Sequence, residues 1–341
     1  MKIGIVGYQG SGKSTLFGWL TGVLPDPALA HTTQPAAAEV PDVRVPPLVE
    51  VYEPKKITQA TLEFIDTPGL DPSHDGNAAR LSLIREAGCL VHVVDAFGQG
   101  EPLTRLATFN DDLLLADLEI VTRRVEKLTE SVKKPRPNRQ QEQAELEALQ
   151  PLLSTLEAGT PLDKSEMNDE QLKHTRSFQL LTEKPGFVVL NLADDAADAG
   201  LFKQLPAGTR GIALPVRLAS ELSEMDDEDR AEFASEMGDF SIDRDALLRN
   251  IMDASGQMLF FTAGEKEVRT WMIHKGGTAV QAADGIHSDL ARGFVRAETM
   301  TCDDLFRLGS EREVKAENLM RREHKDYVIQ DGDILHILSS T

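Results

Sequence analysis

The feature of this sequence that most constrains its fold is a glycine-rich segment close to the start of the chain, Gly7–Ser14. It reads GYQGSGKS and matches the pattern G-x-x-x-x-G-K-[ST] at every fixed position. The apolar run Lys2–Val6 before it is typical of a buried parallel strand. Ser14–Leu20 after it has apolar residues at helical spacing. A strand, a glycine loop and a helix in this order predict the opening of an α/β domain.

The same segment predicts a phosphate-binding loop. Glycines let backbone N–H groups turn towards phosphate oxygens, and the N-terminus of the following helix adds the positive end of its dipole. We expect Lys13 to reach the β- and γ-phosphates of a nucleotide and the Ser14 hydroxyl to ligate Mg²⁺. The loop residues predicted to contact the nucleotide are Gln9, Gly10, Ser11, Gly12, Lys13, Ser14 and Thr15.

A second phosphate-side element, Asp66–Leu70, reads DTPGL. A carboxylate at Asp66 would hold Mg²⁺ directly or through water, and the Gly69 N–H would contact the γ-phosphate, so that the segment acts as a switch. Between the two motifs, Thr33 supplies a hydroxyl that would complete the metal shell, although many loop threonines have no such role. The predicted metal ligands are Ser14, Thr33 and Asp66, and the predicted catalytic residues are Lys13, Thr33 and Gly69.

The element that would read the base is Asn191–Asp194, which reads NLAD and follows the predicted strand Gly186–Leu190. It has the Asn and the Asp of the guanine-reading pattern N-K-x-D, but Leu192 replaces the lysine. The alternative is an Asn–Asp turn that caps a helix. A second base-contacting loop would be Arg217–Ser220, which includes Ala219 and follows the predicted strand Ile212–Val216. The predicted base-reading residues are therefore Asn191, Leu192, Asp194 and Ala219.

Thr61–Ile65 and Cys89–Val94 are the other predicted strands of the α/β domain, and the Pro-, Ala- and Thr-rich stretch 25–60 is predicted to be irregular. Leu113–Leu128 and Gln140–Leu156 carry leucines at helical spacing, which predicts an inserted antiparallel helical pair. The basic, proline-containing turn between them is interpreted as a solvated loop, with an RNA-facing tip as the alternative.

After Gly256 the pattern changes to short strands, which predicts a small α+β module with one helix over Ala279–Leu290. Its predicted strands are Met258–Thr262, Val268–Ile273, Val295–Thr299, Tyr327–Ile329 and Ile334–Leu338. We predict a P-loop domain, a helical insertion and a C-terminal module, with the respective boundaries 1–110 plus 185–257, 111–184 and 258–341.

Composition excludes some classes of protein. The formal net charge of −20 argues against a protein that wraps duplex nucleic acid by its global charge, but it does not exclude a local basic patch. The two cysteines form neither a disulfide framework nor a zinc cluster, which indicates a reducing compartment. The opening apolar run is too short for a signal peptide, and no apolar run reaches the roughly 18 residues of a membrane span. We expect a cytoplasmic protein with no membrane partner, and a monomer is favoured.

Together these motifs resemble the Obg-like ATPase family, the YchF group of translation-factor-related P-loop proteins, over nearly the whole chain. The phosphate loop, Thr32–Thr33, the switch and the NLAD element occur in the family's order, and Leu115–Glu119 is similar to the start of its helical insertion. The most specific similarity lies within residues 261–333, in the segments FTAG, KEVR, QAA, IH, GFVRAE, KDY and QDGD.

This resemblance implies a G-protein-like α/β domain with an inserted helical hairpin. It also implies a C-terminal TGS domain, a β-grasp fold shared with threonyl-tRNA synthetase. Members of the family are cytoplasmic, hydrolyse ATP more readily than GTP and associate with ribosomes, and we expect the same of this chain.

The chain departs from the family pattern around the nucleotide. Gly10 stands where the family usually has an Asn that helps to hold K⁺ in related enzymes, and Asp194 stands where it has Glu. The family's histidine after the third strand, with a proposed catalytic role, is absent from residues 97–102, and His74 is the nearest loop histidine after the switch. At one position the chain agrees with the family: both lack the water-orienting glutamine that many GTPases place where this chain has Leu70. A choice between ATP and GTP stays open.

We therefore predict a slow Mg²⁺-dependent purine-nucleotide hydrolase, with ATP or GTP as its substrate, that acts as a molecular switch. Its expected partner is the ribosome or another RNA-containing complex. The alternative is a nucleotide-binding scaffold with negligible hydrolysis, which Gly10, Leu70 and the missing loop histidine favour. A metabolic P-loop kinase is a weaker third interpretation, because the sequence shows no lid or acceptor-binding segment.

Overall fold

The computed structural model describes residues 1–74, 76–98, 100–162, 166–194, 200–226, 229 and 243–340. Its backbone divides into two compact units. One comprises Met1–Ala37 with Glu63–Ile242, and the other comprises Ala38–Leu62 with Asp243–Thr341. The three-domain division inferred from the sequence stays a prediction.

Within the described residues, the strands and helices have the following bounds. The strands are β1 Lys2–Val6, β2 Gln34–Glu39, β3 Ile57–Thr58, β4 Thr61–Asp66, β5 Cys89–Asp95, β6 Gly186–Asn191, β7 Gly211–Leu214, β8 Gln257–Thr262, β9 Val268–His274, β10 Phe294–Thr301, β11 Arg321–Glu323 and β12 Asp333–Ser339. The helices are α1 Lys13–Thr21, α2 Val45–Tyr52, α3 Asn77–Ile84, α4 Pro102–Ser131, α5 Arg139–Glu157, α6 Asp169–Thr175, α7 Val216–Glu224, α8 Arg244–Ala254, α9 Ala279–Ile286, α10 Ser288–Arg292, α11 Cys302–Leu308 and α12 Glu311–Ala316.

The first sheet has the strand order β2-β4-β1-β5-β6-β7, and its neighbours from β4 to β7 pair in parallel. β1 and β5 are buried along almost their whole length, as expected for central parallel strands. The register pairs Ile5 with Asp66 and Asp95 with Asn191. The carboxyl ends of β1, β4, β5 and β6 therefore meet at one edge of the sheet, where ligands of open α/β sheets bind. The predicted α/β fold is confirmed.

The helical pair is longer than predicted, because α4 begins at Pro102 rather than near Leu113. Proline is tolerated in the first turn of a helix, where its missing N–H has no intrahelical partner to lose. A leucine-rich core joins α4 to α5 and includes Val121, Leu128 and Leu149. The predicted pairing of the two helices is confirmed by this core and by an ion pair between Arg124 and Glu145.

The prediction that residues 25–60 are irregular is wrong, because this stretch contains β2, α2 and β3 and a short 3₁₀ turn at Pro27–Leu29. Its prolines indicated a loop, yet α2 carries its prolines in the first turn. Leu48 of α2 is fully buried in a core with Phe261 and Val268.

The second sheet has the order β11-β10-β12-β8-β9-β3 and is mixed, with β12 parallel to β8 and β8 antiparallel to β9. The expected single helix over Ala279–Leu290 is two helices, because His287 adopts an extended conformation and its Nδ1 accepts a hydrogen bond from the Asp289 N–H. Tyr327–Ile329 is not a strand; Val328 makes one isolated bridge to Thr278. β11, α11 and α12 were not anticipated. Within the described ranges, none of the helices combines the length and the apolarity that a membrane crossing requires.

Candidate nucleotide-binding site

The conformation of the loop between β1 and α1 depends on its glycines. Gly7 and Gly12 have φ values of 146° and 98°, which L side chains rarely adopt. A Cβ on Gly7 would run into the carbonyl oxygen of Val93, and a Cβ on Gly12 would run into the side-chain amide of Asn191. Both positions therefore require glycine for space as well as for conformation.

Lys13 is the cation of this loop. It is only 6% exposed, and its Nζ donates a hydrogen bond to the Tyr8 carbonyl oxygen at 2.7 Å. Burial lowers the pKa of Lys13 to about 8, although the nearby Asp66 carboxylate acts in the opposite direction. A desolvated ammonium group gains much from an anionic ligand, so the position suits a phosphate oxygen.

Ser14 and Asp66 come together beside the lysine. The Ser14 hydroxyl donates to Asp66 Oδ2 at 2.8 Å, and Asp66 Oδ1 is buried with no partner among the described residues. Burial raises the pKa of Asp66, while the Ser14 hydrogen bond and Lys13 lower it. A hydroxyl next to a carboxylate with an unsatisfied oxygen is a donor set that suits Mg²⁺, which prefers oxygen ligands and keeps most of its waters. These residues therefore fit the expected metal.

The third predicted metal ligand, Thr33, does not line the cavity of about 480 Å³ that holds Lys13, Ser14 and Asp66. Thr32 and Gln34, its two neighbours, line that cavity instead. The Thr32 hydroxyl donates to the Leu29 carbonyl oxygen at 2.9 Å. A metal-binding or catalytic role of Thr33 thus stays a prediction that this arrangement of the loop does not support.

The switch segment is fastened to the phosphate loop through backbone hydrogen bonds. The Gln9 N–H donates to the Leu70 carbonyl oxygen at 2.9 Å, and the Leu70 N–H donates to the Gly7 carbonyl oxygen at 3.0 Å. A Cβ on Gly69 would lie 2.6 Å from Lys13 Nζ, so only a glycine brings the backbone this close to the lysine. The Leu70 side chain is fully buried in the core and cannot orient a water molecule in the cavity.

Asn191 ties the base end of the site to the phosphate loop. Its Nδ2 donates to the Ser11 carbonyl oxygen at 3.0 Å, and its Oδ1 accepts from the Val216 N–H at the start of α7, also at 3.0 Å. Because a carboxamide nitrogen has two hydrogens, one N–H stays available for a ligand. Asn191 lines a second cavity of about 580 Å³, which shares Gly10 with the first cavity.

The other predicted base-reading residues separate into two groups. Leu192 and Asp194 line the second cavity together with Thr15. Ala219 is buried within α7 and does not line it, so a base contact from Ala219 stays a prediction.

The sequence reasoning missed Phe97 of this cavity, and it named Arg217 only as part of the predicted second base-contacting loop, Arg217–Ser220. Phe97 is 47% exposed and lines the cavity; a turn in which Asp95 Oδ1 accepts from the N–H groups of Phe97 and Gly98 fixes its position. Arg217 lines the same cavity and pairs with Asp194. Phe97 comes two residues after the end of β5, and an aromatic residue at such a position could have been recognised as a surface on which a base stacks. Nothing in the sequence, in contrast, indicates that Arg217 pairs with Asp194. Gln99, in the loop where the family histidine was sought, lies outside the described residues.

Two histidines near the phosphate loop, His74 and His92, pack against α4, while a third, His31, lines the cavity that holds Lys13. His74 Nδ1 lies 3.0 Å from Asp112 Oδ1 on α4, and the same carboxylate accepts from the Tyr8 hydroxyl at 2.9 Å. His92 on β5 is buried, and burial with the nearby Lys13 lowers its pKa to about 3, so the ring is neutral at physiological pH. Neither arrangement identifies a catalytic base.

Comparisons with known proteins show to which families this chain is similar. Residues 2–136 match the family described as "50S ribosome-binding GTPase", and residues 258–339 match YchF-GTPase_C, described as "Protein of unknown function (DUF933)". The ribosome-binding ATPase YchF of Bacillus subtilis is 33% identical over 363 aligned positions, covering 98% of both chains. The Obg-like ATPase 1 of Oryza sativa is 34% identical, covering 98% of this chain and 91% of its own.

A solved structure is similar along the whole chain. The YchF GTPase of Schizosaccharomyces pombe superimposes with a TM-score of 0.83 at 27% sequence identity, covering 99% of this chain and 97% of that one. The similarity therefore includes both sheets and the helical pair.

Proposed function

This chain belongs to the YchF and Obg-like ATPase family, and from that premise we propose that it is a slow, Mg²⁺-dependent purine-nucleotide hydrolase that works as a ribosome-associated switch. The observation that carries the proposal is the meeting of Lys13, the Ser14–Asp66 pair and the Gly69 backbone at one end of a cavity. Loop N–H groups, an ammonium and a backbone glycine at one point suit a triphosphate.

Mg²⁺ would be held by Ser14 and Asp66 and would neutralise charge on the β- and γ-phosphates. Lys13 would bind the same phosphates, and the Gly69 N–H would contact the γ-phosphate. Since the segment of Gly69 is already bonded to Gln9 and Gly7, loss of the γ-phosphate would change how firmly the two segments are held together. This is the switch that we propose.

We propose a purine as the base. Leu192 and Phe97 offer apolar surface on the cavity, and a flat ring binds well against such groups. The free N–H of Asn191 would donate to an acceptor on the ring.

Slow turnover follows from the buried Leu70, because that side chain cannot place the attacking water. The same observation favours the second candidate, a nucleotide-binding scaffold with negligible hydrolysis. The two differ in whether bound triphosphate is hydrolysed, by the protein alone or with its partner.

The ribosome is the proposed partner because the bacterial relatives carry that partner in their names. The chain is acidic overall, so RNA would be met by a local basic surface. The segment Lys133–Arg139, which joins α4 to the first residue of α5, carries four basic residues and is the segment to test first. Reversing the charge of Lys134 and Arg136 should reduce co-sedimentation with ribosomes, and unchanged co-sedimentation would exclude this contact.

Displacement of a fluorescent ADP analogue tests the binding proposal directly. We expect ATP and GTP to displace it in the presence of Mg²⁺ and more weakly after chelation, whereas CTP, which lacks the purine, displaces it poorly. Failure of both purine triphosphates to bind would overturn the proposed function.

A further inference from the structure

The second cavity, in which the base would bind, contains an ion pair to which neither the motifs nor the family comparison assigns a role. Arg217, the second residue of α7, directs its guanidinium group to Asp194. Its Nε donates to Asp194 Oδ2 at 2.8 Å, and its Nη2 donates to the same oxygen. Both residues line the second cavity, so the pair stands where a bound base would lie.

The two hydrogen bonds fall on a single oxygen. A carboxylate oxygen has two lone-pair positions, and Oδ2 uses both for charge-assisted bonds to Arg217. Oδ1 is left as the acceptor that a ligand can use. The Watson–Crick edge of guanine presents two neighbouring donors, and an aspartate reads it well only by offering one oxygen to each.

Adenine is affected differently. Its Watson–Crick edge has the N1 acceptor beside an amino donor, so it could bond to Oδ1 through the amino group and has no use for a second carboxylate oxygen. A free, charged Asp194 would face the N1 acceptor unfavourably, and pairing with a guanidinium weakens this repulsion.

We propose that Arg217 is a specificity-determining residue that withdraws one oxygen of Asp194 from the base and thereby keeps the site from selecting guanine over adenine. The inference rests on the proposed function, since it needs a purine in this cavity. It explains how a chain with the Asp of guanine-binding proteins at this position can accept ATP. Arg217 acts through Asp194 and is a positioning residue.

Among the residues that the structure describes, Glu221 is a charged group next to this pair; it lies one turn further along α7, and its Oε1 is 3.8 Å from Arg217 Nε. It is too distant for a strong hydrogen bond and lines neither cavity, so Glu221→Gln should leave base preference unchanged. The Arg217 side chain is 73% exposed. Its removal should therefore not affect folding, and the expected effect is that of an exposed ion pair.

The test is the ratio of affinities for the non-hydrolysable analogues GMP-PNP and AMP-PNP, measured by calorimetry with Mg²⁺. Arg217→Ala should raise the guanine-to-adenine affinity ratio about threefold to fivefold, the upper range for an exposed pair. In an Asp194→Asn background the same change should have no effect on the ratio, because the carboxylate on which Arg217 acts is gone. Arg292→Ala removes an arginine of similar exposure (74%) that pairs with Asp289 elsewhere and serves as the matched control.

An unchanged ratio in Arg217→Ala, with both analogues still bound, would overturn this inference alone. A ratio that rises equally in the Asp194→Asn background would also overturn it, because Arg217 would then act on the base without Asp194. If neither analogue binds the unaltered protein, the proposed function fails as well, so the two failures are distinguishable.

Discussion

The nucleotide site consists of two cavities, which we call the phosphate end (the cavity of Lys13) and the base end (the cavity of Asp194). The charged residues of the two ends differ in how far they are exposed. At the phosphate end, Lys13 and Asp66 are buried, and the backbone of Gly69 lies against the lysine. At the base end, Asp194 and Arg217 form their pair at the surface. Buried charges interact strongly and have few alternative partners, whereas exposed pairs contribute little and are easily rearranged.

This difference suggests that the chemistry of the phosphates is fixed by the fold, while the choice of base depends on a few exposed side chains. Asn191 links the two regions, since it bonds to the loop carbonyl of Ser11 and lines the base cavity. Changes at the phosphate end should therefore weaken binding of every triphosphate, and changes at the base end should mainly alter the preference among them.

The largest effect is expected at Lys13. Lys13→Ala should weaken triphosphate affinity at least tenfold, about 1.4 kcal/mol, for ATP and GTP alike, because the contact to the β- and γ-phosphates is lost. Lys203→Ala removes an exposed lysine of the same unit that lines neither cavity, and it should bind as the unaltered protein does. Calorimetry measures both, and triphosphate binding unaffected by Lys13→Ala would disprove the phosphate site.

A comparison of two loop glycines tests how the ends are connected. Gly12→Ala places a Cβ against the Asn191 amide and should weaken binding about tenfold, within the range for disturbing a buried hydrogen bond. Gly10 also has a positive φ, of 77°, but its Cβ would meet open space. Gly10→Ala should therefore show mainly backbone strain, about 1–2 kcal/mol of unfolding free energy. Equal losses of affinity in the two variants would contradict the proposed link through Asn191.

The pH dependence of binding reports the buried lysine. In the empty site the pKa of Lys13 is about 8, and a bound triphosphate requires the protonated form. As pH rises from 7 to 9, the empty protein loses this proton, so binding must take one up and affinity should fall up to about tenfold. Calorimetry in buffers of different ionisation enthalpy detects the uptake at pH 9. The fall should be absent in Lys13→Ala; if it persists there, another group titrates.

The smallest effect is expected from the monovalent cation. Gly10 has no side chain to ligate K⁺ near the phosphates, and no atom of the described residues lies within 4 Å of where its Cβ would be. Replacing Na⁺ by K⁺ at constant ionic strength should change the hydrolysis rate less than about twofold, well under 1 kcal/mol in barrier height. A large K⁺-specific increase would show that another group at the phosphate end supplies the ligand.

The phosphate end could be predicted from the sequence because its motifs are local. GYQGSGKS specifies a loop between a strand and a helix, and DTPGL follows a strand that pairs directly with the first. Thr33 was the weak point. Thr32 and Thr33 lie in the loop before β2, where Thr32 lines the cavity and Thr33 does not, and nothing in the composition of the loop chooses between the two.

The base end was less predictable for a physical reason. Asn191 and Asp194 were found because they follow a strand, but the partner of Asp194 is 23 residues further along the chain and on a helix. Its position depends on how β7 and α7 are placed. Two helix boundaries were mispredicted for a local reason. The extended conformation of His287 ends a helix that the periodic pattern continues, and a proline tolerated in the first turn lets α4 begin earlier than the pattern indicates.

Single-turnover hydrolysis of γ-labelled ATP and GTP, with and without ribosomes, tests the central claim most directly. We expect slow Mg²⁺-dependent release of phosphate by the protein alone, faster release with ribosomes, and loss of both in Lys13→Ala. Binding of either triphosphate with no phosphate release, even at saturating ribosome concentration, would contradict a hydrolase and identify the chain as a nucleotide-binding scaffold.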